Sequence, residues 1–214
     1  MKNIIFIAPP AAGKGTQSDM LKQEYGYNHI STGDILREAI TSGSELGKNV
    51  KNIIDNGQLV TDEIMINLIQ EKLEDIKGNP FILDGFPRTL NQAIALDKML
   101  RKLKDKDYIA IYLELDESIA LQRVLGRLTC KCGKSYNIYD KNLQPKVEGI
   151  CDYCGEKLEK RKDDNEISFK TRFDTFLTAT KPIVDYYKDM DKLHVVNVNQ
   201  SVSEIFDDIS KVID

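Results

Sequence analysis

The alternation of short apolar runs with long helical patterns constrains this chain more than any other feature. Runs of strand character lie at Asn3–Ile7, Pro80–Leu83, Tyr108–Leu115 and Leu193–Val198, with a shorter one at Asn28–Ile30. Helical periodicity fills Gln17–Glu24, Asp34–Ser42, Glu63–Asp75, Leu90–Arg101, Glu117–Arg127, Asn165–Lys188 and Ser203–Ile213. Strands apolar on both faces need cover on both faces, and crossover helices supply it. The pattern therefore predicts an α/β fold with a five-stranded parallel sheet flanked by helices. In such sheets ligands collect beyond the carboxyl ends of the strands. Residues 31–60 read as short helices with polar joints at Ser42-Gly43-Ser44 and Asn56-Gly57. Residues 126–164 are rich in Cys, Lys, Gly and Tyr and show no long periodicity. Both stretches read as excursions from the core.

The first strand runs into Ala8-Pro9-Pro10-Ala11-Ala12-Gly13-Lys14-Gly15-Thr16, and a helix follows. A strand, a small-residue turn, a lysine and a helix start form a cradle for phosphate, because backbone N–H groups point at the anion. The match to G-x-x-x-x-G-K-[ST] departs at Ala8 and at Gly15, where Thr16 stands one place late. Lys14 is otherwise a poorly placed cation, since a helix N-terminus already carries partial positive charge. A bound anion removes that conflict; an accidental turn with a surface lysine is the plainer alternative. A positive φ at Ala8 or Ala11 would cost about 1 kcal/mol through the Cβ.

A second candidate is Ile30-Ser31-Thr32-Gly33-Asp34-Ile35-Leu36-Arg37, where Ser31, Thr32 or Asp34 caps a helix and Arg37 lies one turn in. A third is Phe81-Ile82-Leu83-Asp84-Gly85-Phe86-Pro87-Arg88-Thr89. An aspartate ending a buried strand beside a phosphate loop suits the orientation of Mg²⁺, and Thr89 can cap the next helix and present Arg88. Of 30 basic residues only seven are arginine: Arg37, Arg88, Arg101, Arg123, Arg127, Arg161 and Arg172. Scarce arginine suggests sites where a rigid bidentate fork is needed. The histidines His29 and His194 read as structural.

A formal net charge of −4 argues against a general nucleic-acid binder. No apolar run approaches the roughly 18 residues of a membrane span, and the N-terminus lacks a signal-peptide pattern, so no membrane partner and a cytoplasmic location are expected. The four cysteines, Cys130, Cys132, Cys151 and Cys154, fall in one segment. In a reducing compartment that grouping favours a Cys₄ zinc site over disulfides.

Together these motifs resemble the nucleoside monophosphate kinases, and among them the long form of the adenylate kinases. The resemblance spans essentially the whole chain. It rests on Gly13-Lys14-Gly15-Thr16, Ser31-Thr32-Gly33-Asp34 and Gly57-Gln58-Leu59-Val60-Thr61-Asp62-Glu63. It continues through Leu83–Thr89 with Gln92, then Arg123, Gly126-Arg127, Arg161-Lys162-Asp163-Asp164 and Arg172.

The resemblance implies a P-loop fold with a core of 1–30, 61–125 and 165–214, an AMP-binding subdomain at 31–60 and a LID at 126–164. It places ATP against Ala11, Ala12, Gly13, Lys14, Gly15, Thr16, Arg123, Arg127, Ser135, Tyr136 and Gln200. It places AMP against Thr32, Arg37, Gln58, Leu59, Val60, Gly85, Phe86, Pro87, Arg88, Gln92, Arg161 and Arg172. Lys14, Asp84, Arg88, Arg123, Arg161 and Arg172 would carry the phosphoryl transfer, with Mg²⁺ accompanying ATP. Thr32 and Gln92 go with adenine in this family. The expected reaction is Mg·ATP + AMP ⇌ 2 ADP by a monomer. A kinase for UMP or CMP, or a catalytically weak nucleotide sensor, is the alternative. The zinc pattern departs from the family at Cys130-Lys131-Cys132, which has one intervening residue where two are usual.

Overall fold

The computed structural model describes residues 1–76, 78–103 and 107–213. Asp214, the last residue of the expected core, lies outside them. The strands are β1 (Asn3–Ile7), β2 (Asn28–Ser31), β3 (Phe81–Asp84), β4 (Tyr108–Glu114), β5 (Arg127–Thr129), β6 (Ser135–Asn137) and β7 (Leu193–Asn197). The α-helices are α1 (Lys14–Tyr25), α2 (Thr32–Ser42), α3 (Glu45–Asp55), α4 (Asp62–Asp75), α5 (Leu90–Leu103), α6 (Glu117–Leu125), α7 (Glu166–Thr175), α8 (Pro182–Asp189) and α9 (Val202–Ile213). Five strands make one parallel sheet in the order β2-β3-β1-β4-β7, while β5 and β6 pair antiparallel in a separate hairpin.

Alternation along the strands sorts the core into two layers. Ile5, Ile7, Phe81, Leu83, Ala110 and Tyr112 face one side with Met65 and Ile69 of α4, Leu96 and Leu100 of α5, and Tyr187 of α8. Ile4, Phe6, Ile82, Ile111 and Leu113 face the other with Leu21 of α1, Val124 of α6, Phe169 of α7, and Ile205 and Ile209 of α9. Each large side chain so buried contributes about 1.5–3 kcal/mol relative to exposure. All five residues of β1 are buried, which fits its central place in the sheet.

Two helices end differently from the sequence expectation. The helix expected over Glu117–Arg127 stops at Leu125, and Arg127 opens β5. The chain turns at Gly126, where an added Cβ would lie 2.4 Å from Asn137 Oδ1. The Asn137 amide in turn donates to the Arg123 carbonyl at 2.9 Å, closing the end of α6. The single helix expected over Asn165–Lys188 is three segments: α7, a π-helical turn at Phe176–Thr180, and α8. Pro182 has no N–H to give, and Lys181 N–H bonds five residues back to the Phe176 carbonyl at 2.7 Å. The widened turn sets the Thr180 hydroxyl 3.1 Å from the Arg88 carbonyl, which accepts its hydrogen bond.

Candidate functional site

The register of the sheet gathers the motifs at one edge. Phe6 pairs with Asp84, and Ser31 pairs with Asp84 on the other side, so the segments that follow β1, β2 and β3 leave together. Ser31 caps α2 by accepting from Asp34 N–H, which turns Thr32 inward; its hydroxyl donates to the Asp84 carbonyl at 3.2 Å. Gly13 precedes α1 at φ +87°. Ala11 has φ +59°, whereas Ala8 is not among the positive-φ residues, so the loop carries left-handed strain at Ala11, costing about 1 kcal/mol.

Lys14 Nζ lies 3.9 Å from Asp84 Oδ1 and 3.5 Å from the Pro9 carbonyl. His29 Nε2 lies 3.5 Å from the other Asp84 oxygen. An added Cβ at Gly15 would meet nothing within 4 Å, so the protein leaves space open beside Lys14. Burial pulls the Lys14 pKa down to about 8; Asp84 opposes the shift, and Arg88, Arg172 and Arg127 add to it. Burial alone would raise Asp84, but Lys14, His29 and Arg88 hold it below the usual carboxylate range.

Gly85 lets Arg88 fold back over the turn. Its φ is +86°, and an added Cβ would stand 2.5 Å from Thr32 Oγ1 and 3.0 Å from Arg88 Nη2. Arg88 Nε donates to the Gly85 carbonyl at 2.8 Å. Burial lowers the Arg88 pKa, and Arg172 lowers it further. Arg161 is pushed down to about 10 by burial, then by Arg127 and Arg37. Burial, and after it mutual repulsion, lowers Lys14, Arg88, Arg161 and Arg172, whereas Asp164 raises Arg127 against its burial; the lowered cations are short of negative charge, which suits an anion site.

Asp163 and Asp164 supply part of that charge. Arg172 pairs with Asp163 at 3.0 Å, and Arg127 grips the fully buried Asp164 through Nε and Nη2. Sequence reasoning quoted both acids beside Arg161 but gave them no task. The two basic residues followed by two acidic ones, Arg161-Lys162-Asp163-Asp164, were the available signal.

Two clefts flank Arg88. One is lined by Ala8, Pro10, Lys14, Pro87, Arg88, Arg172 and Phe176 among others. The second is lined by Thr32, Arg37, Gln58, Leu59, Val60, Gly85, Arg88, Gln92 and Arg172, with Leu36 and Met65 as apolar walls. Most residues expected to contact AMP thus share one cleft. Phe86 is fully buried behind it.

The expected ATP residues are more dispersed. Arg123 is turned to the Val198 carbonyl at 2.9 Å, and Gln200 donates to Asp208 at 2.8 Å. Ser135 is exposed. The Tyr136 hydroxyl accepts from Asp152 N–H at 2.8 Å and lies 3.4 Å from Cys151 Sγ. Lys134 in the hairpin pairs with Asp19 of α1 at 2.9 Å, tying residues 126–164 to the helix that begins at Lys14.

The four cysteine sulfurs converge, all within 4.8 Å of one another. Cys130 and Cys154 are 3.3 Å apart, and Cys132 and Cys151 are 3.7 Å apart. A tetrahedral zinc with bonds near 2.3 Å requires sulfurs about 3.8 Å apart, so the donor set fits. The short first pair is absorbed by a tighter turn: Gly133 N–H reaches the Cys130 carbonyl, whereas Gly155 N–H reaches the Cys151 carbonyl one residue further on. Among the described residues the apolar side chains packed with the buried cysteines are Leu158, Leu128 and Tyr136, too little apolar surface to hold a loop of this length alone.

A family model described as Adenylate kinase matches residues 6–192. An adenylate kinase of Fervidobacterium nodosum is 47% identical over 205 residues, covering 95% of this chain and 93% of that protein. One of Methanothrix thermoacetophila is 43% identical over 213 residues, covering 99% and 98%. One of Clostridium tetani is 42% identical over 214 residues, with the same coverage.

Proposed function

We propose how the site works from the premise that the chain belongs to the adenylate kinase family and is a phosphotransferase of that kind. The reaction is the reversible transfer of the terminal phosphoryl group of ATP to AMP. The observation that carries the assignment of roles is the cluster of Lys14, Arg37, Arg88, Arg127, Arg161 and Arg172 around Asp84, Asp163 and Asp164, in which burial and neighbouring cations lower Lys14, Arg88, Arg161 and Arg172.

An AMP phosphate oxygen attacks the γ-phosphorus, a new P–O bond forms, and the bond to the β-phosphate bridging oxygen breaks with its electrons leaving on ADP. The attacking oxygen is already anionic, so no general base is needed. Catalysis is alignment and charge stabilisation. Lys14 and the loop N–H groups hold the ATP phosphates, and Arg88 and Arg172, which line both clefts, bridge donor and acceptor. Arg37 reaches the AMP phosphate, while Thr32, Val60 and Gln92 enclose its base. Arg123 and Gln200 flank the ATP end. Adenylate kinases use Mg²⁺ with ATP, which would neutralise charge on the phosphate oxygens, and Asp84 would be the carboxylate that orients it.

Residues 31–60 serve as the AMP-binding subdomain and 126–164 as the LID that excludes water during transfer. The four cysteines would hold a structural zinc and leave no open position for catalysis. The enzyme is read as a monomer of the cytoplasm, the location supported by four cysteines grouped as one metal-ligand set. A coupled assay with AMP, UMP, CMP and GMP at saturating ATP tests the acceptor. AMP is expected to give by far the highest kcat/KM; ADP formation with UMP or CMP but not with AMP would overturn the assignment.

A further inference from the structure

Gln92 is 2% exposed and lines the second cleft, yet both ends of its amide are already engaged by the protein. Its Oε1 accepts from the Arg88 main-chain N–H at 2.7 Å. Its Nε2 donates to Asp62 Oδ1 at 2.8 Å. Asp62, the first residue of α4, is fixed in turn by the Thr89 hydroxyl, which donates to it at 3.0 and 3.1 Å. Thr89 also accepts the Gln92 main-chain N–H at 3.2 Å.

The chemistry of these partners fixes which way the amide faces. A carboxylate only accepts and a main-chain N–H only donates, so the amide nitrogen must face Asp62 and the oxygen must face Arg88. A flipped amide would set its oxygen against the carboxylate and its NH₂ against another donor, in a place with almost no water to relieve either. A primary amide has two N–H bonds and two oxygen lone pairs. One of each is used, which leaves one donor and one acceptor for a base.

The order of that pair matters. A 6-aminopurine offers a donor at its C6 amino group and an acceptor at N1. A 6-oxopurine offers the reverse, an acceptor at O6 and a donor at N1. The two edges are matched by opposite orientations of the same glutamine amide. We propose that Asp62 is a specificity-determining positioning residue: by locking the Gln92 amide in one orientation it admits the 6-aminopurine monophosphate and rejects the 6-oxopurine one. The inference rests on the reading that Gln92 meets the nucleobase of the acceptor. It assigns the discrimination to a residue outside the cleft lining, and to repulsion against the wrong base as much as attraction to the right one.

The test compares kcat/KM for AMP and IMP in the native enzyme, in Asp62→Asn and in Gln92→Ala. Asparagine keeps the shape but can offer Gln92 either a donor or an acceptor. Removing a charge-assisted hydrogen bond from the lock is expected to lower the AMP:IMP ratio about tenfold or more, with part of the change a rise in activity on IMP. A misfolded variant cannot gain activity, and a melting curve is taken alongside. An unchanged ratio in Asp62→Asn, with the ratio lost in Gln92→Ala, would overturn the lock while sparing the role of Gln92. An unchanged ratio in both variants would overturn the reading of Gln92 and the lock with it. If Asp62→Asn does not fold, Asp62→Ser is measured in the same way, because its hydroxyl also both donates and accepts and suits a helix start.

Discussion

Lys14 shows what one residue's surroundings do to its chemistry. In the free protein, burial brings its pKa to about 8. A phosphate beside it favours the charged form and raises that value. Nucleotide affinity is therefore full below about pH 8 and declines as pH rises through 8 towards the bound value. Binding at about pH 9 should take up most of one proton. Titration calorimetry of ADP in two buffers of different ionisation heat measures that uptake; Lys14→Met should abolish it, and no uptake by the native protein would remove the assignment. At this scale the sequence was informative wherever chemistry is tied to residue type. Five of the seven arginines, all but Arg101 and Arg123, belong to the mutually repelling cluster. It raised Ala8 and Ala11 as possible sites of strain but could not say which has positive φ, because that depends on how the loop closes, and it was silent on the partner of His29, which only strand register reveals.

Elements were legible where a period ran uninterrupted. β1 spans Asn3–Ile7 as its apolar run indicated, and the polar joints at Ser42-Gly43-Ser44 and Asn56-Gly57 separate α2, α3 and α4. The π-helical turn at Phe176–Thr180 was not legible, because it keeps the helical pattern and differs only in hydrogen-bond register. The 126–164 segment has too few repeats for periodicity to show β5 and β6. Its four sulfurs converge instead, and the proposed zinc would supply its local order. Elemental analysis should find about one zinc per chain, and strong chelation should lower the melting temperature and open this segment to proteolysis before the sheet unfolds. A protein free of metal, with melting unaffected by chelator, would remove zinc from the account.

Across the whole molecule, a chain of net charge −4 concentrates cations at one edge of its sheet. The doubly covered sheet followed from the sequence because apolar runs and crossover helices leave few other solutions. How the two excursions meet did not, since it depends on contacts between distant segments such as Lys134 with Asp19. Arg172 likewise finds Asp163 only when the turn before α7 folds. Neutralising that acid in Asp163→Asn should tighten ADP binding several-fold in calorimetry without added Mg²⁺; weaker binding would show that Asp163 supports the nucleotide instead. On the proposed roles of Arg127 and Arg172, Asp163 and Asp164 would be tethered competitors for the phosphates, present at a fixed and high effective concentration. On that reading each departing product would be exchanged for a carboxylate already beside the guanidinium, so the grip needed for transfer need not become a trap on release.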